Sequence, residues 1–189
     1  MKNAASRMLH AHWDDLRGAR AAPDRGQIEP GDIRHILADA FLLEVDPAAK
    51  AASIRLAGTR ICALFGRELR GAPFAALWGE RSAARPWRLV EAVIEETAGL
   101  VAGLQARTAD GDELQLEMLL LPLRHRGRTQ SRIIGTLSAT RAPEWIGLRS
   151  VERLETVSLR ILVAGAMPDR PEPTPARRHG FVVHQGGRA

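Results

Sequence analysis

Residues 55–71 read Arg-Leu-Ala-Gly-Thr-Arg-Ile-Cys-Ala-Leu-Phe-Gly-Arg-Glu-Leu-Arg-Gly, and this stretch decides the fold. Its first residues finish a run that alternates apolar and polar positions, as strands do. Thr59 is a suitable N-cap, and Gly66 stands where helices commonly end in a left-handed residue. Between them the apolar residues have helical spacing: Ile61, Leu64 and Phe65. The stretch therefore predicts a strand that leads directly into a short helix.

Two strands are predicted before that helix. Residues 41–46 have a period of two until Asp46-Pro47 stops the run. Residues 52–57 place Ile54 and Leu56 on one face. The short connection between the two runs predicts a β-hairpin.

The clearest helical pattern follows, over residues 83–98. Pro86 lies in the tolerant first turn, and Gly99 ends the helix. The apolar stripe is Trp87, Val90, Val93, Ile94 and Thr97. Three long strands are predicted next, at 100–108, 113–124 and 132–140, and the turn signal around Asp110-Gly111 indicates an antiparallel meander. The sequence thus predicts an α+β fold.

Residues 6–17 form an amphipathic helix that needs a surface to pack on. The outer face of the middle long strand is apolar near its end and needs a cover. Either the N-terminal helix or a second copy of the protein would serve. We therefore predict a contact surface, with self-association through the N-terminal helix, made of Leu9, Trp13, Leu16, Leu119 and Leu121.

These patterns divide the chain into four parts. We predict an N-terminal helical extension at 1–37, a domain at 38–141, a C-terminal helix at 142–166 and a disordered tail at 167–189. The C-terminal helix rests on apolar residues spaced by threes and fours. The tail is rich in proline and arginine, a composition typical of disorder.

Composition limits the functional classes. The 189 residues suit one domain with tails, and the apolar runs are too short to cross a membrane. A single cysteine, Cys62, excludes an intramolecular disulfide and indicates a reducing, cytoplasmic location. The formal charge is +5, but the densest basic stretch, residues 124–132, predicts a solvated hairpin turn rather than a phosphate site. Nucleic acid is therefore not an expected partner.

The order of elements and several motifs resemble the small PAS-like proteins of alphaproteobacteria. The motifs are Trp13-x-x-Leu16-Arg17-Gly18, Pro23-x-Arg25, Ile28-x-Pro30-x-x-Ile33 and, most specifically, the stretch 55–71. The resemblance covers residues 9–141. It implies a PAS-like five-stranded antiparallel sheet with helices on one face and a pocket between them. It also implies a bacterial sensory module that signals through helix packing or dimer contacts.

The implied pocket gives the predicted ligand-binding residues: Arg60, Phe65, Arg70, Trp78, Trp87, Leu116 and Met118. The two arginines border the pocket, and a buried arginine favours an anionic group. We therefore expect a small apolar or weakly anionic ligand. The alternative reading is that both arginines reach solvent or pair with Glu68.

The sequence disfavours several cofactors, and the cofactor itself stays unknown. Cys62 precedes residues 66–71, whereas the flavin-bonding cysteine of light-sensing PAS domains follows that segment, so covalent flavin is not expected. Haem is not expected either, because no histidine lies between His35 and His125. No metal site is predicted.

Catalysis is not predicted. A cone-shaped α+β isomerase or hydratase would share the long strands, but it requires a polar residue on the apolar face of the middle strand. The acidic residues fall on the polar phase of their strands, where we expect solvent: Glu44, Asp46, Glu113 and Glu117.

Two hypotheses follow from the sequence. The first is a cytoplasmic PAS-type sensor that binds a small molecule or a signalling partner and forms a homodimer. The second is a ligand-free adaptor whose C-terminal helix and basic tail contact a partner protein. Removal of residues 142–189 would discriminate the two.

Overall fold

A computed structural model describes residues 1–78, 84–141 and 143–162. The α-helices are α1 (Ala4–Arg17), α2 (Thr59–Phe65) and α3 (Ala84–Glu96), and short 3-10 helices cover Arg25–Gln27, Leu37–Asp39 and Phe74–Trp78. The strands are β1 (Ala40–Asp46), β2 (Ala51–Ala57), β3 (Gly99–Thr108), β4 (Glu113–His125), β5 (Arg128–Ala139) and β6 (Val151–Leu162). No helix within these described ranges is long and apolar enough to cross a membrane.

The six strands form one antiparallel sheet in the order β2-β1-β5-β4-β3-β6. The hairpin between β4 and β5 turns at Arg126 and Gly127, which both have positive φ, at 50° and 78°. This confirms the solvated hairpin turn predicted for the basic stretch. The predicted PAS-like α+β class is also confirmed, with one strand more than the five expected.

The extra strand is β6, and the predicted C-terminal helix is wrong at these residues. Residues 151–162 are extended and pair with β3 over its whole length. Two bulges in this pairing break the period of two, so the apolar spacing resembles a helical one. Residues 163–166 of the predicted helix and the tail from 167 lie outside the described residues.

Two apolar layers cover the sheet. The inner face packs on α2, α3 and the 3-10 helix Phe74–Trp78, and the outer face packs on α1. Side-chain hydrogen bonds fix α1 there. Trp13 Nε1 donates to the carbonyl of Pro122 at 2.8 Å, and the hydroxyls of Ser6 and Thr136 are 3.1 Å apart.

The outer cluster settles what covers the sheet. Leu9, Trp13, Leu119 and Leu121 are buried against one another inside one chain, and Leu16 is half-buried beside them. The N-terminal helix of the same chain therefore provides the cover, and these four side chains have little surface exposed. Self-association through the N-terminal helix stays a prediction, and α1 covers this face within one chain.

Candidate functional site

Among the described residues, apolar side chains pack between the sheet and the inner helices, where a pocket was predicted. Phe65, Trp78, Leu116 and Met118 are buried in the inner cluster, and Trp87 packs half-buried against it. The ring of Phe74 lies between two other aromatic rings, with its centroid 6.1 Å from that of Phe41 and 5.0 Å from that of Trp78. The large aromatic and aliphatic residues thus occupy the space that the resemblance assigned to a ligand.

The two predicted arginines lie outside this core. Arg70 is exposed, and the side chain of Arg60 is 57% exposed. Arg60 pairs with the buried Asp39 and not with Glu68. The Glu68 carboxylate instead accepts from the backbone N–H groups of Leu69 and Arg70, at 3.0 and 3.1 Å. Arg70 therefore reaches solvent, whereas Arg60 has a partner that the sequence reading did not name, and ligand binding by either stays a prediction.

A cleft of about 330 Å³ lies at an end of the sheet, and two of the predicted ligand-binding residues, Arg60 and Leu116, line it. Strand β1 begins at Ala40, opposite Thr136, whereas β5 continues to Ala139. Residues 137–139 therefore extend past the start of β1, and the cleft opens beside them. We call it the β5 notch. Its lining residues are Asn3, Ala4, Ala5, Met8, His35, Ile36, Asp39, Arg60, Leu64, Leu116, Leu137, Ser138, Ala139 and Ile146.

The notch combines apolar walls with a few polar groups. Leu64, Leu116 and Leu137 provide apolar surface, and the Arg60–Asp39 pair lies at one side. Ser138 is only 6% exposed, and its hydroxyl has no hydrogen-bond partner among the described residues. A buried hydroxyl without a partner is costly, so a bound polar atom would satisfy it.

The first turn of α1 forms one wall of the notch and is anchored to the strand ends. The carboxylate of Glu117 accepts from the backbone N–H groups of Lys2 and Asn3, at 2.6 and 3.0 Å. Asn3 caps the helix, since its Oδ1 accepts from the N–H of Ala5, and its Nδ2 donates to the carbonyl of Ala139. This network couples α1 to the strands that line the notch.

Glu117 corrects one expectation. It was expected to face solvent, yet it is 8% exposed beneath the start of α1. A carboxylate is favourable at this position because the N-terminus of a helix carries partial positive charge. Sequence reasoning also missed Asp39 and Ser138. One signal in the sequence could have indicated the burial of Glu117. Asn3 is a good N-cap, and the helix that it begins covers the face on which Glu117 lies.

The basic stretch of the β4–β5 hairpin is engaged in ion pairs. Arg124 donates two hydrogen bonds to the carboxylate of Asp24, at 3.0 and 2.7 Å. Arg132 forms an ion pair with Glu44, with 2.8 Å between Nη2 and Oε1. Hydrogen bonding from Arg124 lowers the pKa of Asp24, and the hydrogen bond from Arg55 is the main cause of the lowered pKa of Glu44. These pairs hold the hairpin to the N-terminal segment and to β1.

Cys62 has the character of a packing residue. It is half-buried on α2 beside the inner cluster. Burial is the largest cause that raises the pKa of its thiol, and the negative charge of Glu68 raises it further. A raised thiol pKa disfavours the thiolate, which is the nucleophilic form. In the part of the chain that the structure describes, no group of three or more metal-ligating side chains comes together.

An antiparallel sheet with short helices and one longer helix on its inner face is a PAS-like α+β fold. A family model described as PAS domain matches residues 1–138. The chain therefore belongs to the PAS domain family, and the match includes α1. It is a sensory PAS module.

Solved structures of PAS domains are similar in outline. A light-oxygen-voltage domain studied with a flavin analogue has 15% identity and a TM-score of 0.44, over 62% of this chain and 87% of that one. A PAS domain from Colwellia psychrerythraea has 14% identity and a TM-score of 0.44, over 59% and 97%. The PAS domain of an HTR-like protein from Haloarcula marismortui has 16% identity and a TM-score of 0.41, over 58% and 89%. No curated protein sequence matches the chain.

Proposed function

We propose that this PAS module is a cytoplasmic bacterial regulator that binds a small molecule in the β5 notch and reports occupancy through the packing of α1. Its role is regulatory rather than catalytic, as in the alphaproteobacterial PAS-like proteins that its motifs resemble. The observation that carries the proposal is the partnerless, buried hydroxyl of Ser138 in a cleft whose wall is the first turn of α1.

The lining of the notch defines the class of ligand. Aliphatic side chains from α2, β4 and β5 favour an apolar body. The Ser138 hydroxyl both donates and accepts, so it suits one neutral or weakly acidic polar group. A strong anion fits less well, because Arg60 already pairs with Asp39, whose buried carboxylate would repel it.

The route of the signal follows from the contacts of α1. A ligand in the notch touches Asn3, Ala4, Ala5 or Met8 at the start of α1, and Ala5 is itself part of the apolar cluster on the outer face. The Glu117 carboxylate, the Asn3 cap and the Ser6–Thr136 hydrogen bond lie in the same turn or beside it. A ligand that shifts this turn would change how firmly α1 covers the sheet.

Native mass spectrometry of the full chain, compared with its denatured mass, tests the proposal. We expect a retained small molecule, which is lost in Ala4→Trp because the new ring fills the mouth of the notch. Ala11→Trp places the same ring at another exposed position of α1 and should retain the ligand. Ser138→Ala should reduce retention without destabilising the empty protein. If both Ala4→Trp and Ser138→Ala retain the ligand as the wild type does, the ligand binds at a site other than the notch.

The second candidate is a ligand-free adaptor, which the filled inner core favours. Removal of residues 142–189 is no longer a clean test, because it deletes β6 from the sheet. Truncation after Leu162 keeps all six strands. An adaptor that uses the tail would lose its partner in this variant, whereas a notch-based sensor would keep its ligand.

A further inference from the structure

Strand β6 forms an edge of the sheet, and within the described ranges its strand neighbour is β3 alone. It is 12 residues long and contains no proline. Three apolar side chains are well exposed along it: Val157 at 70%, Leu159 at 50% and Ile161 at 42%. Long apolar edge strands are templates for pairing with another strand, and proteins usually protect them.

A bulge at Val157 sets the faces of β6. Gly103 pairs with Ser158 and Leu104 pairs with Thr156, so Val157 is the extra residue. Directly opposed residues of two paired strands lie on the same face of a sheet. The pairing with β3 therefore assigns each residue of β6, before and after the bulge, to the inner or the outer face. The inward residues are Leu154, Thr156, Leu159 and Ile161. Glu155 and Arg160 lie on the outer face, opposite Gln105 and Val101.

We propose that this edge pairs with β6 of a second copy, antiparallel and centred on the step from Val157 to Ser158. In this register Glu155 lies opposite Arg160 of the second copy, and twofold symmetry repeats that pair. On the inner face Leu154 lies opposite Ile161 of the second copy. The outermost of these pairs match in character, and the two central pairs are mixed, with Thr156 opposite Leu159 and Val157 opposite Ser158.

The bulge selects this register. In a regular strand, antiparallel pairing centred between two neighbours would place inner residues opposite outer ones. With the extra residue at Val157, pairing centred on the step from Val157 to Ser158 places inner residues opposite inner ones. Pairing centred on a single residue near the middle of β6 would instead place inner residues opposite outer ones. The proposed pairing therefore matches the faces on both sides of the bulge and joins two six-stranded sheets into one.

Sedimentation velocity of the full chain over a range of concentrations tests the pairing. We expect the wild type to dimerise. Glu155→Arg alone, or Arg160→Glu alone, places like charges opposite each other at two symmetric positions and should raise the dimer Kd roughly tenfold. The double variant with both substitutions exchanges the charges and should restore dimerisation.

Arg128→Glu is the matched control. It makes the same change in net charge as Arg160→Glu, but it lies on the exposed β4–β5 hairpin and should leave the dimer unchanged. Circular dichroism verifies that every variant is folded. A wild type that stays monomeric overturns the proposal. The edge would then pair with residues after Leu162 or with a different protein. A dimer that is insensitive to both single variants, or a double variant without rescue, overturns it as well.

Discussion

The two edges of the sheet are built in opposite ways. At β2 the chain covers its own edge, because the N–H of Gly71 donates to the carbonyl of Ile54 at 2.7 Å, and the N–H of Ile54 donates to the carbonyl of Ala72 at 2.9 Å. Pro73, which has no N–H, lies beside Ser53. At β6 no described segment provides such a cover. One edge is covered inside the chain, and the other pairs on its free side with no strand of the described ranges.

A single short element supports both edges. The 3-10 helix Phe74–Trp78 directly follows the residues that cover β2, and it also contacts β6. Its last residue, Trp78, donates from Nε1 to the hydroxyl of Thr156 at 3.2 Å. The edge at β2 and the edge at β6 therefore contact the same 3-10 helix. Substitutions on either side can measure how much each contact contributes to the free energy of unfolding.

The largest effect is expected for Phe74→Ala. Phe74 is almost fully buried beside Phe41 and Trp78, so truncation should cost about 3–5 kcal/mol of the free energy of unfolding. The cover of β2 should loosen too, which hydrogen exchange at the Gly71 amide measures. Leu56→Ala, at an exposed position on β2, is the control and should change stability by less than about 0.5 kcal/mol. Unchanged protection of Gly71 would show that the cover does not depend on Phe74.

The next effect separates the two halves of β6. Leu154 is fully buried in the inner cluster, and Leu154→Ala should destabilise the protein by about 2–5 kcal/mol. Leu159→Ala, beyond the bulge, should cost at most about 0.5 kcal/mol in dilute protein because half of the side chain is exposed. Urea denaturation of both variants measures the contrast. Equal losses would mean that the open half of β6 is held as firmly as the anchored half.

A smaller effect is expected at the link between Trp78 and β6. Thr156→Val leaves the buried indole N–H of Trp78 without its partner, which should cost about 1–3 kcal/mol. Thr156→Ser keeps the hydroxyl and serves as the control. If valine and serine behave alike in urea denaturation, the hydrogen bond does not anchor β6.

The sequence predicts the edge at β2 better than the edge at β6. The hairpin of β1 and β2 and the helices α2 and α3 carry local signals, namely a clear period, an end at Asp46-Pro47 and Gly66 directly after α2. The end of α3 was predicted less well, because the helix ends at Glu96 and Gly99 begins β3. Strand β6 carries no such signal. Its bulges disturb the period of two. Its partner β3 begins at Gly99, 52 residues before β6 begins at Val151, so no local pattern indicates the pairing. The tertiary pairing therefore overrides the helical spacing of the apolar residues.

The candidate site was harder to predict than the fold. Alternation correctly assigned Leu116 and Met118 to the inner face, but it says nothing about whether their neighbours leave a cavity. It also cannot distinguish a polar face in water from one under a helix, which is why Glu117 was misplaced. The β5 notch arises from the different lengths of β1 and β5, and only the tertiary pairing reveals that difference.

The smallest effect concerns the segment that leads into the edge at β6. Arg149, just before β6, pairs with Asp112 at the β3–β4 turn, and its hydrogen bond lowers the pKa of that carboxyl. The unfolded chain therefore binds the proton more readily than the folded one. The pair's contribution is fully present above the ordinary aspartate pKa of about 4 and is lost as the pH falls through the lower folded-state pKa.

Asp112→Asn should therefore lower the urea midpoint slightly at pH 7, and the difference from wild type should vanish as the pH is lowered below about 4. Glu152→Gln removes a carboxylate from an exposed position on β6 and controls for the change in net charge. A difference that persists undiminished in acid would mean that the loss does not depend on the negative charge of Asp112, and therefore does not come from its pair with Arg149. The start of β6 would then be fixed by the β3–β4 hairpin alone, without the ion pair that ties the connecting segment to it.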